Sequence, residues 1–198
     1  MAIKLVNDYI AADSAGKVDL IYSNFSTFIG TIDSRIDGLV YLIENEKASN
    51  RRHENGDLGV KIKSTCFSNP TQDIACSNVT TRDALVKCDF SGGVLDGTDN
   101  SDLFRDEAFM LMNMRNDFNL FNSQLRNLDE DEMMIFKSYI NRRKDVGTIA
   151  DELGVTPETA RQRIHKTKTK VKTMMVDYLD LSYGRKNGCQ QEKAKLII

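Results

Sequence analysis

Apolar residues recur at helical spacing in two long stretches of the chain. Ile21, Phe25, Phe28, Ile32, Ile36, Leu39 and Ile43 follow one another at steps of three and four. That spacing puts them on one face and predicts a single helix over 15–48. Asp19, Asn24, Asp33, Arg35 and Glu44 fall largely on other faces. Gly30 and Gly38 interrupt the stripe at about 1 kcal/mol each relative to alanine, as marks of close packing or of a bend. Residues 2–11 form a short separate helix in this reading, because Ala12-Asp13-Ser14-Ala15-Gly16 reads as a break. The second stripe, Leu111, Met114, Phe118, Phe121, Leu125 and Leu128, predicts a helix over 101–127. The two stripes match in length and spacing, so they are expected to pack as an antiparallel hairpin, within one chain or across a dimer.

Between the stripes the pattern weakens. Residues 49–79 are polar and turn-rich, and Pro70 with its Asn, Ser and Thr neighbours argues against regular structure. Val60 and Ile62 alternate with Lys61 and Lys63 in the manner of a short strand. Thr80 then reads as the cap of a short helix, with Asp83 three residues on and Ala84, Leu85 and Cys88 as its apolar side. Residues 89–100 read as irregular, and Ser91 to Asn100 as a flexible linker.

After Leu128 the signals become local and dense. Asp129 and Glu132 have capping-box spacing, with Leu128 and Met133 as a hydrophobic staple. Met133, Phe136, Tyr139 and Ile140 are the expected inner side of that helix, which stops among the cations Arg142, Arg143 and Lys144. Asp145 is the expected cap of a helix over Val146 to Leu153, with Ile149, Ala150 and Leu153 inward. Gly154 follows where a helix end favours positive φ, and Val155 packs inward from the turn. Thr156 is a cap and Pro157 a first helical residue, where its missing N–H does no harm. The last helix is expected to run from Pro157 to about Leu181, with Ala160, Ile164, Thr167, Val171, Met174 or Met175, and Tyr178 facing in.

Charge separates this region from the rest. Residues 1–136 hold 13 Lys/Arg against 22 Asp/Glu, whereas 137–172 hold 10 against 4. The whole-chain net charge of −2 conceals the basic block, which implies an anionic partner for that block. Two helices joined by so short a turn must cross steeply, which is the helix-turn-helix arrangement. Glu158, Thr159, Arg161, Gln162, Arg163, His165, Lys166 and Lys168 are left outward on the last helix. Arg and Gln form paired hydrogen bonds to guanine and adenine edges in the major groove, and Thr156 with the free helix amides suits a phosphate. The expected DNA-binding residues are Thr156, Glu158, Thr159, Arg161, Gln162, His165, Lys166 and Lys168. A helix-turn-helix with a purely structural role is the alternative.

These residues resemble region four of bacterial sigma factors. Thr148-Ile149-Ala150-Asp151-Glu152-Leu153-Gly154-Val155-Thr156 is similar to that family's scaffold, and Ala160-Arg161-Gln162-Arg163-Ile164-His165-Lys166 to the recognition-helix pattern of its extracytoplasmic-function subgroup. The resemblance covers about 50 of 198 residues. No aromatic and basic counterpart of the promoter-melting region precedes it, so the layout is closer to the sigma-like phage and prophage regulators of Gram-positive bacteria, the ArpU and RinA types. The resemblance implies control of phage late genes. The expected fold is all-α: an N-terminal long-helix hairpin with a partly irregular middle (1–127), a C-terminal helix-turn-helix of the sigma region-four, winged-helix-like kind (128–181), and a flexible tail (182–198).

The expected function is sequence-specific, double-stranded DNA binding in transcription regulation, with RNA polymerase or a second copy of the chain as further partners. A phage DNA-packaging protein of the small-terminase kind is the alternative. No Ser/His/Asp set, phosphate loop or paired-histidine metal motif points to an enzyme or a cofactor. Cysteines 66, 76, 88 and 189 lack metal or redox spacing and are expected to be free thiols. With no run of about 20 apolar residues for a membrane span, and with Lys4 and Asp8 near the start, a cytoplasmic protein is expected.

Overall fold

The computed structural model describes residues 2–54, 70–141 and 144–195, and every regular element among them is helical. The α-helices are α1 (Ala2–Ala11), α2 (Ser14–Ser23), α3 (Phe28–Glu54), α4 (Pro70–Lys87), α5 (Ser101–Gln124), α6 (Glu130–Ile140), α7 (Val146–Leu153) and α8 (Pro157–Lys195). One 3₁₀ turn, Leu125–Asn127, links α5 to α6. Two compact units result. The first joins Ile3–Ile29 to the chain from Arg115 onward, and the second is Gly30–Met114. Their boundaries therefore differ from the 127/128 division expected from the sequence, because α1 and α2 group with the C-terminal helices.

The helix expected over 15–48 is two helices. The backbone turns through Asn24–Thr27, where Asn24 ends α2 by donating both its N–H and its side-chain amide to the Leu20 carbonyl. The apolar stripe continues across this turn, and its periodicity hid the break. Gly30 and Gly38 mark neither close packing nor the break, since no atom lies within 4 Å of a Cβ at either position. α1 is separate, as its flanking residues imply, and Asp13 caps α2 by accepting from the Gly16 amide at 2.8 Å.

In the second unit, Ile32, Ile36, Leu39 and Ile43 of α3 are buried together with Phe104, Ala108, Leu111 and Met114 of α5. The two helices run antiparallel within this unit: Arg35 pairs with Glu107, while Glu46 accepts from the backbone amides of Asp99 and Asn100 at 2.6 and 3.0 Å. Those bonds tie down the segment expected to be a flexible linker, and Leu95 within it is buried. α4 corrects a second expectation. Pro70, read as a breaker, occupies its first position, where no N–H is needed. Thr80 is interior to α4 and returns its hydroxyl to the Cys76 carbonyl, so it caps nothing. The helix docks through Ala84, Leu85 and Thr81, whose hydroxyl donates to Glu44 at 2.8 Å. The Val60–Ile62 strand lies outside the described residues.

In the first unit, Tyr9, Phe25, Phe28, Phe118 and Phe121 form an aromatic cluster, with Phe28 and Phe118 stacked at 5.5 Å. Beside it, Tyr9 and Tyr183 both donate to Asp117, at 2.9 and 2.7 Å, joining α1 and α8 to α5. Lys17 lies 3.6 Å from the centre of the Tyr183 ring. α8 runs to Lys195, through much of the segment expected as a tail. Its buried line is Ala160, Ile164, Thr167, Val171, Met175 and Leu179. Tyr178, expected inward, is 51% exposed, because Leu179 continues the stripe in its place.

Candidate nucleic-acid interface

α6, α7 and the start of α8 close on a small core of Ile135, Ile149, Ala150, Ala160 and Ile164, with Tyr139, Val146, Leu153 and Val155 packed against it. Ala150 and Ala160 are fully buried, and their small side chains let α7 and α8 approach closely. The junction is made by local bonds. Asp145 caps α7, accepting from the Thr148 amide at 2.8 Å and hydroxyl at 2.6 Å. Those hydrogen bonds, side chain first, lower the Asp145 carboxyl below its ordinary range. At the far end Gly154 adopts φ 62° and ψ 32°. Its amide donates to Asp151, and that of Val155 to Ala150, at 3.2 and 3.0 Å, the paired bonds of a Schellman ending. Thr156 opens α8, accepting from the Thr159 amide at 3.2 Å.

α6 begins differently from expectation. The Asp129 side chain makes no capping bond, so the capping box is absent. Glu132 instead meets Lys170 of α8 at 3.2 Å. Carboxylates in the first turn still suit the partial positive charge of the helix start. Of the expected inner side, Phe136 and Ile140 are buried along with Ile135, while Met133 and Tyr139 are half-buried.

The buried line fixes the rest of α8 by its 100° step per residue. Gln162 falls opposite Ala160, Ile164 and Thr167, with Glu158 and His165 on one side of it and Lys166 on the other, and all four are exposed. Arg161, exposed, and Lys168, half-buried, lie on the flank toward α2. Arg163, exposed, lies on the flank toward α6, where it lines a cavity of about 310 Å³ with Lys166, Asp129, Asp131 and Glu132. Thr156 and Thr159 share a hydrogen bond between their hydroxyls at 2.9 Å, so both serve the start of the helix. The expected residues thus divide into an open centre, a flank and a cap.

Much of the block's positive charge is matched internally. Lys144 pairs with Glu152 at 2.6 Å, Lys172 with Asp19 at 2.6 Å and Arg161 with Glu158 at 3.5 Å. The Lys168 ammonium stands 4.2 Å from the centre of the Tyr22 ring. Arg163 and Lys166 have no acidic partner within salt-bridge distance among the described residues. The composition of the block could not show this, because Asp19, Tyr22 and Glu132 come from outside it. Such exposed pairs contribute little stability, so they can be exchanged for contacts to an anion.

No group of three or more His, Cys, Asp or Glu among the described residues is placed to hold a metal ion. Cys76 and Cys88 are free, and Cys66 lies outside the described residues. No described helix is long and apolar enough to cross a membrane. No protein-family model, curated protein or solved structure matches the chain.

Proposed function

We propose that the chain is a sequence-specific, double-stranded DNA-binding transcription regulator of the sigma region-four-like kind, in which α7, the turn at Gly154 and α8 act as a helix-turn-helix. The observation that carries this reading is the open face of α8. Gln162 stands at its centre, with Glu158 and His165 on the side toward Arg161 and Lys166 on the side toward Arg163, within the first turns of a helix whose entry is set by the Gly154 turn. Placing the start of a second helix against base edges is how such motifs dock. Gln offers a paired contact to adenine, and Arg or Lys a contact to guanine. α3 and α5 serve as a helical hairpin for a second copy or for RNA polymerase, and the protein works in the cytoplasm. A two-fold dimer requires half-sites about 34 Å apart or a multiple of it.

Capture of sheared genomic DNA by the purified protein tests the proposal. The expected result is enrichment of a limited set of fragments sharing one motif, with retention falling steeply as salt rises. Recovery of fragments in proportion to the input, even at low salt, refutes it.

A further inference from the structure

A groove borders the proposed reading face of α8. Two cavities, of about 420 and 300 Å³, have Tyr22 of α2 and Tyr139 of α6 in common. Arg161, His165 and Lys168 of α8 line the smaller one. Neither tyrosine hydroxyl has a hydrogen-bond partner among the described residues, and none of the buried polar side-chain atoms described is left unsatisfied. The two hydroxyls are therefore donors facing a solvent-filled groove. Burial, then the neighbouring Tyr139, pushes the Tyr22 hydroxyl up to about 12, so it remains a neutral donor at physiological pH. Tyr22 is fixed from both sides, its ring 5.7 Å from Phe136 and under the Lys168 ammonium. Asp145 is the one carboxylate among the described lining residues, and it is engaged at the start of α7.

Paired hydroxyl donors with flanking cations suit an anion whose oxygens accept several hydrogen bonds. Arg161 on the flank and His165 on the open side of α8 both line the groove, so a duplex lying on the open face passes beside it. We propose that the groove seats one backbone phosphate of the DNA read by α8, with Tyr22 and Tyr139 donating to its oxygens and Arg161 and Lys168 supplying the charge. The inference rests on the DNA-binding reading and extends it, since it makes the N-terminal helix α2 part of the interface. Phosphate contacts set register and orientation and carry no sequence information themselves.

The test uses the full-length protein and a duplex selected by it from a random pool, with binding followed by fluorescence anisotropy. Tyr22→Phe/Tyr139→Phe keeps both rings and is checked for unchanged far-UV circular dichroism. It is expected to bind about five- to tenfold more weakly, by the same factor on selected and scrambled duplexes. A scan replacing single phosphates by neutral methylphosphonates distinguishes a direct contact from a disturbed fold. One position should weaken the wild-type protein and leave the double variant unaffected. Equal binding by variant and wild type, or the same methylphosphonate profile for both, overturns the phosphate seat and leaves the DNA reading standing. Failure of the wild-type protein to retain any duplex overturns both.

Discussion

Replacing Gly154 by alanine tests whether the turn between α7 and α8 is held by backbone conformation alone. At φ 62° the residue sits in the left-handed region, where a Cβ meets the following carbonyl at a cost of roughly 1–2 kcal/mol. A Cβ built there has no atom within 4 Å, so clashes with neighbours add nothing. Alanine also restricts the unfolded chain, which returns about 0.4–1 kcal/mol. Gly154→Ala should therefore destabilise by about 1 kcal/mol, and Gly154→Asn by less, because asparagine visits this region more readily. Gly30 and Gly38 supply the internal comparison: both are inside α3, and neither has an atom within 4 Å of a Cβ. Alanine at either site should stabilise by about 0.5–1 kcal/mol. Urea unfolding followed by far-UV circular dichroism reads the difference as opposite shifts of midpoint at constant slope. A Gly154→Ala protein as stable as Gly30→Ala would refute the account of the turn.

Two other perturbations probe the units separately. Tyr9→Phe removes one of the two hydroxyl donors to Asp117. Because Tyr183 still donates, the loss should sit near the lower end of the range for bonds to charged groups, about 1.5 kcal/mol, read as a lowered urea midpoint; no shift would mean that the bond contributes nothing net. In the second unit, burial alone would raise the Glu44 carboxyl, but hydrogen bonds from Lys47, Thr81 and Ser77 outweigh it and hold the group below its ordinary value of 4.5. A lowered native value gives stability that is present above the unfolded value and lost as pH falls through the native one. Between pH 7 and 3 the wild-type protein should therefore lose more stability than Glu44→Gln, with the divergence beginning near pH 4.5; parallel curves would contradict this.

The parts legible in the sequence are those set by neighbours three or four residues apart. Asp145 as a cap, Gly154 in the left-handed region, and Thr156 with Pro157 at the start of α8 all act over a single turn, where residue type and spacing determine the hydrogen bond. Burial of Ala150, Ala160 and Ile164 follows from the same local register. The break at Asn24–Thr27 was obscured because Ile21, Phe25, Phe28 and Ile32 keep helical spacing across it while packing from separate elements. α4 was hidden by its polar composition, since it docks through Thr81 as well as Ala84 and Leu85 and leaves Ile74 and Val79 exposed. At the candidate interface the exposed face of α8, with Glu158, Arg161, Gln162, Arg163, His165 and Lys166, was readable from its periodicity, although Thr159 and Lys168, expected outward, are half-buried. Its flanks were not: Asp19 and Lys172 are 153 residues apart in the chain, and no local pattern brings Tyr22 beside Lys168.

The central claim concerns the open face of α8, and placing carboxylates on that face tests the claim most directly. Gln162→Glu/Lys166→Glu changes two exposed side chains with no described partners, so helix content should be unchanged. Binding of the selected duplex should fall by at least about a hundredfold, since a paired base contact alone is worth about 1–3 kcal/mol and each new carboxylate also repels the phosphates. A double variant that keeps its helix content and binds the duplex within about threefold of the wild-type protein, a difference under about 0.7 kcal/mol, would contradict the assignment of this face.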